Sequence, residues 1–367
     1  MPPPERGPSA AALLPALLAA LTLASGLAGG LARLGLDLLP ERASAPLALH
    51  GALMVCGFFG LVISLERAVA LRRGLVWAAP ALAAAGSLAA LALQPGVAAA
   101  LWFAAALVLG AAYVGVWWRE RALHTAVEGA GALAWAGGTL LWLTDRPFET
   151  AVAWWCSFLV LTIAGERREL ARFVPLSAFA RRAYGGAMAL HGLGLLGLAA
   201  GLPGAGALWW LAQLALAAWL WRFDLAVRPG LVRTGWTLHT ARCLRLGYAW
   251  LALAALWGLA GLARGTAFGA SGPLHMLLLG FVFAMVFGHA PIVLPALLRL
   301  RLAPPGFRPF APVLLMSAAV ALRALAELLQ QATLRSAAGV LQALSIVAFA
   351  VLLLSRVEPR TPAPPPR

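Results

Sequence analysis

The chain has 367 residues, 62% of them hydrophobic and only 11% charged, against about 25% charged for a soluble globular domain. Length alone would allow two or three water-soluble domains, but this composition excludes them and reads as an all-α, polytopic membrane protein. The formal net charge of +15, with all 28 basic residues arginine, is first a topology signal, so no nucleic-acid partner is indicated.

Cys56, Cys156 and Cys243 lie far apart, and no CxxC or CxxCH run occurs. That disfavours covalent haem attachment, a thiolate zinc site and a disulfide framework. Ala, Leu and Gly dominate, as in a GC-rich bacterial genome.

In chain order, a short Pro-rich tail, Met1 to Pro8 with Arg6, precedes twelve apolar segments of spanning length at 10–33, 46–66, 75–93, 97–118, 122–143, 149–165, 182–202, 205–223, 243–263, 273–299, 310–330 and 333–355. The first is too long, and too poorly marked for cleavage, to be a removed signal peptide. Residues 1–355 thus read as one membrane domain, and 356–367 as a Pro-rich cytoplasmic tail expected to be disordered.

Arginines fall in alternate loops. Arg67, Arg72 and Arg73 follow span two, and Arg119 and Arg121 span four. Arg167, Arg168, Arg172, Arg181 and Arg182 follow span six, Arg222, Arg228, Arg233 and Arg242 span eight, and Arg299, Arg301 and Arg308 span ten. The positive-inside rule then puts both termini in the cytoplasm of a bacterial cell, with the chain in the inner membrane among its lipids. Trp117–Trp118, Trp154–Trp155 and Trp209–Trp210 sit at span ends, where an interfacial aromatic belt is expected.

A faint repeat joins residues 56–72 to 156–172, matching at Cys56/Cys156, Leu61/Leu161, Ile63/Ile163, Glu66/Glu166, Arg67/Arg167 and Arg72/Arg172. Within each copy Glu66-Arg67 and Glu166-Arg167 are expected to pair and anchor helix ends. Span ten would be a third copy.

The polar residues sort by depth. His275 and His289 share span ten, within about 40° in direction and roughly 21 Å apart along it. His50 enters span two from the same side as His275, and His191 on span seven lies near the depth of His289. Two tiers follow, His50 with His275 and His191 with His289. Imidazole is an axial ligand for haem iron and a ligand for copper, whereas the commoner role of any single buried histidine is an interhelical hydrogen bond.

Met54, four residues after His50, is read as packing rather than as a thioether ligand. His124 and Glu128 form an i,i+4 pair that could start a proton path or merely bond to each other. His239, among Arg233, Arg242 and Arg245, reads as interfacial. Arg323 and Glu327 form another i,i+4 pair, at the level of the upper tier. There Arg323 could hold a haem propionate or serve as a structural ion pair. No Walker A loop, G-x-S-x-G elbow or dinucleotide fingerprint occurs in a strand–helix setting.

Leu246–Ala254, LGYAWLALA, followed by Leu274-His275 and an apolar helix, together with His50 ahead of Gly57-Phe58, resembles the NnrS family over spans two, nine and ten. Arg245 stands where that family has a histidine. The resemblance implies a twelve-span bacterial membrane protein with haem b and copper in nitric-oxide or respiratory redox chemistry, His50 and His275 as ligands, and a quinol or a small gas such as nitric oxide as partner. More distantly, twelve spans with related helices two, six and ten look like the catalytic subunit of haem–copper oxidases. The adjacent histidine pair and His-x-His of those enzymes are absent, so oxygen reduction is not implied. Rival readings are a secondary transporter that relays protons through buried histidines and carboxylates, and a structural subunit.

Overall fold

The computed structural model describes residues 10–36, 49–173, 175–228, 230, 234–306 and 308–358. The two terminal tails and Arg233 lie outside them in whole or part. Among the described residues the regular structure is helical, apart from one isolated bridge between Leu302 and Val357. Twelve long helices follow in order: α1 (Ala10–Ala32), α2 (His50–Leu71), α3 (Gly74–Leu91), α4 (Pro95–Glu120), α5 (Leu123–Leu143), α6 (Phe148–Leu170), α7 (Ala178–Ala199), α8 (Ala205–Phe223), α9 (Gly235–Ala263), α10 (Ser271–Leu298), α11 (Arg308–Leu328) and α12 (Ala332–Leu354).

Each apolar segment of the sequence falls on one helix. Boundaries differ mainly where an arginine-bearing turn prolongs the helix past its apolar stretch. Thus α6 runs on to Leu170, and α9 begins at Gly235, eight residues before the apolar run. Among the described residues nine helices are long and apolar enough to cross a membrane, all but α5, α7 and α8. Those three carry His124 and Glu128, Arg181 and Arg182, and Gln213 with four tryptophans, which dilute their apolar content.

Among those nine, α2, α6 and α10 are the most enclosed, with 67%, 72% and 56% of their apolar windows buried against 44% or less for the others. They meet one another at the centre of the bundle. The outer helices turn leucines outward, such as Leu14 and Leu17 on α1 and Val351 and Leu354 on α12, as a lipid-facing surface requires. The three helices singled out by the internal repeat are therefore the central ones.

Three helices end in the same way. Arg72, Arg121 and Arg299 occupy the left-handed position after α2, α4 and α10, with φ of 52°, 49° and 52°. Glycine is the usual residue there. A cation at that point instead meets the negative end of the helix dipole.

Two expectations need correction. Trp117 and Trp118 form an aromatic edge, with the Arg121 guanidinium 4.1 Å from each ring. Trp155, Trp209 and Trp210, by contrast, are core residues, not belt. Two of their N–H groups find partners inside: Trp155 donates to Thr139 Oγ1 at 3.2 Å and Trp209 to Ser157 Oγ at 2.9 Å. Nor is the start of the C-terminal tail free. Glu358 N–H donates to Arg301 O, and Ala303 N–H to Arg356 O, each at 2.9 Å. Residues 356–358 are thereby tied to the loop after α10.

Candidate functional site: a histidine pair at one end of the bundle

His50 opens α2 and is seated on α1. Gly26 and Gly30, one turn apart, leave a groove of the small-xxx-small kind that lets helices approach closely. Met54 fills its Gly26 end and the His50 ring lies against Gly30. The imidazole Nδ1–H donates to the Gly26 carbonyl at 2.6 Å. Met54 packs there, as its sequence position suggested.

His275 is held in the same sense by its own helix. Its Nδ1–H donates to Ser271 O at 2.8 Å, with Ser271 Oγ at 3.2 Å. A carbonyl can only accept, so in both neutral rings the proton sits on Nδ1 and Nε2 keeps its lone pair. A carbonyl holding one ring nitrogen while the other keeps its lone pair is the support that metal-bound histidines have.

The two rings share a level. Phe59, nine residues after His50, meets Phe283, eight residues after His275, edge to face at 5.6 Å, and Phe58 stacks on Phe283 at 6.5 Å. Near-equal spacing, nine residues against eight, puts the histidines at similar depth, to within about a helical turn, ~5.4 Å. Charge on His50, Arg33 and Arg323 reaches His275. Both helices also widen into π-helical turns directly beyond the histidines, at Leu53–Phe59 and Met276–Val282. Such turns gather at functional sites.

Arg323 completes the surroundings. Its Nη2 donates to Ser271 Oγ at 2.9 Å and its Nε lies 3.5 Å from Glu327 Oε1. The i,i+4 pair forms, and through Ser271 it reaches the anchored edge of His275.

The lower tier comes apart. His289 Nδ1–H donates to Met285 O at 2.8 Å, so its Nε2 must accept, and it accepts from Arg167 Nη1 at 3.3 Å. His191 lies on α7 against Gln213 of α8, whose amide donates to Nδ1 at 3.0 Å, and its ring tilts on Trp209. That leaves the His191 proton on Nε2, which has no partner. Among the described residues no contact links His191 with His289. The ionic alternative available to His289, a buried arginine, wins over a second imidazole.

Other expected local pairs also give way to different partners. Arg67 binds Glu128 Oε2 at 2.8 Å, not Glu66. Arg167 binds Asp224 through Nε at 2.8 Å and Nη2 at 3.0 Å, not Glu166. His124 leans toward Glu120 at 3.9 Å, not Glu128. His239 is buried, not interfacial: its Nε2–H donates to Phe287 O at 3.0 Å between Trp236, Phe310 and Phe349. Asp224, Gln213 and Ser271 escaped the sequence reading. Asp224, an acid in an arginine-rich loop, carried the only visible signal.

The Gly30 contact can be tested. A Cβ there would lie 2.9 Å from His50 Cε1 and 3.0 Å from Nδ1. Gly30→Val is therefore expected to push the ring off the Gly26 carbonyl, at a cost of about 1–3 kcal/mol. Nitrogen-15 histidine NMR should show the His50 Nδ1–H signal shifted or lost, and that of His275 kept. An unchanged His50 signal would mean that the groove does not hold the ring.

No curated protein and no solved structure matches the chain. The match that does exist runs over residues 12–358, from α1 through α12 and the bridged segment just beyond it, and by that extent the chain belongs to the family described as a domain of unknown function, DUF8744.

Proposed function

We propose that this protein is a twelve-span bacterial inner-membrane protein, both termini cytoplasmic, that holds haem b, with copper as the alternative metal, between His50 and His275. Its work is nitrogen-oxide or respiratory redox chemistry of the NnrS kind, with a quinol or a small gas such as nitric oxide as partner. The observation that carries the reading is the pair of level imidazoles, each anchored at Nδ1 and free at Nε2.

The donor count favours haem. Among the described residues no group of three or more His, Cys, Asp or Glu could hold a metal, whereas a bare structural ion commonly takes about four protein ligands. A haem would bring its own ring nitrogens, and His50 and His275 are the residues that would hold its iron, which would supply redox and gas-binding chemistry there. Copper also suits imidazole. Arg323, and Arg33 just past the end of α1, set positive charge beside the pair, which suits carboxylate groups such as propionates.

The twelve-span topology rests on the arginine loops. If α5, α7 or α8 failed to cross, the arginine clusters after the even-numbered helices would no longer share a side. Reporter fusions at Arg367 are expected to be active only on the cytoplasmic side, and periplasmic activity would overturn the orientation.

An absorption spectrum with metal analysis tests the function. The purified protein should show a stoichiometric Soret band. A colourless, metal-free protein would sink the cofactor reading and leave a transporter or a structural subunit.

A further inference from the structure

The arginine-rich end of the bundle carries a second polar centre, which the histidine pair does not use. Glu66 and Arg67 come from α2, Tyr113 from α4, Glu128 from α5 and Glu166 from α6. Arg67 is the hub. Its Nη2 donates to Glu128 Oε2 at 2.8 Å, and its guanidinium lies 4.7 Å from the centre of the Tyr113 ring. Glu128 is pressed onto α6, where a Cβ on Gly165 would collide with its Cγ. Glu66 and Glu166, the matched acids of the repeat, act on each other's charge, and Glu128 acts on Glu166.

The charges do not balance. Three carboxylates surround one guanidinium, because Arg167, the next cation, is taken up by the bidentate Asp224. Fully ionised, the centre would crowd three negative charges around Arg67 at the edge of an apolar bundle, with Glu128 buried and Glu66 and Glu166 half-buried, and like charges sharing such a site resist full ionisation. Independently, two polar atoms here have no partner although their side chains are only 2% exposed: Glu128 Oε1 and the Tyr113 hydroxyl.

The surroundings provide a way in. Glu120, His124 and Glu128 succeed one another every four residues, with side-chain exposure falling from 53% to 12% to 2%. Glu169, paired with Arg172 at 3.4 Å, adds negative charge near Glu128. Arg168 on α6 and Tyr184 on α7 are the remaining titratable or charged groups packed around it.

We propose that Glu66, Glu128 and Glu166, gathered around Arg67, form a proton-holding site that keeps at least one exchangeable proton at neutral pH and fills from the arginine-rich face along Glu120 and His124. The step is the protonation of one carboxylate by water-borne protons, with Arg67 neutralising another. It stands independently of the haem reading, since none of these residues touches His50 or His275.

Infrared spectroscopy of the full-length protein in lipid nanodiscs reads this directly. At neutral pH the unsubstituted protein should show a protonated-carboxyl stretching band that shifts in heavy water. Glu66→Gln and Glu166→Gln, nearly isosteric changes read separately, should each diminish or remove it. Glu149→Gln, at the other end of α6, should keep it. His124→Ala should leave the band and slow its exchange into heavy water. Absence of the band in the unsubstituted protein would overturn the site, as would its persistence in all of Glu66→Gln, Glu128→Gln and Glu166→Gln. Unchanged exchange in His124→Ala would overturn the route. A band lost when sodium replaces choline in the buffer would assign the centre to a small cation and overturn the proton.

Discussion

Asp224→Ala is expected to destabilise the protein by about 3–5 kcal/mol, because it strands a buried guanidinium. Asp224 is fully buried and Arg167 is 4% exposed. The carboxylate accepts both the Nε and the Nη2 of Arg167 and also caps the Ala226 N–H at 2.7 Å. The same short loop is held from the other side by Arg245, whose Nε donates to Ala226 O at 2.9 Å. Removing Asp224 therefore leaves Arg167, among the described residues, with His289 as its remaining hydrogen-bond partner and frees the loop that closes α8. The partner variant separates charge from packing. Arg167→Met with Asp224→Ala removes both charges and should recover most of the loss, as apolar replacements of buried ion pairs do. Thermal or detergent-denaturant unfolding of the purified protein measures both. If Asp224→Ala unfolds no more readily than the double variant, the pair is not what secures this end of the bundle.

The helices were legible because a membrane helix must bury its backbone polar groups within itself, so an apolar run of spanning length is already nearly a helix. The central position of α2, α6 and α10 was foreshadowed only by the weak repeat at Cys56 and Cys156. Ion pairs were the least legible feature. Along one helix Glu66 and Arg67 point in directions about 100° apart, so Arg67 makes its hydrogen bond across the bundle to Glu128 and its ring contact to Tyr113, and Glu66 adds only its charge nearby. The same geometry sends Arg167 to Asp224 and then to His289, and it is this ionic contact that dissolves the lower histidine tier. Depth can be read from spacing, but rotation about each helix axis cannot. His191 and His289 take separate partners, Gln213 and Arg167, whereas His50 and His275 each keep an unspent Nε2.

That difference sets the last expectation: His50→Ala and His275→Ala should each abolish the same haem or metal signal, while His289→Ala and His191→Ala keep it. The two members of the first pair hold Nε2 free because Gly26 O and Ser271 O take the Nδ1 proton. In His289 the corresponding nitrogen is already spent on Arg167, and in His191 it carries the proton. Only the first pair can therefore offer lone pairs to a metal without first breaking a buried contact. Folding must be scored beside the spectrum, by membrane insertion and monodisperse elution, since His50 also packs in the α1 groove. A milder variant guards against misfolding: Ser271→Ala leaves the His275 ring and its backbone carbonyl partner in place but removes the hydroxyl that links them to Arg323. It should retain the cofactor and shift its reduction potential, because supporting contacts tune a bound metal. If His275→Ala keeps a full complement of haem and metal, His50 and His275 are not the ligands, and the free Nε2 edges at this end of the bundle serve some other chemistry.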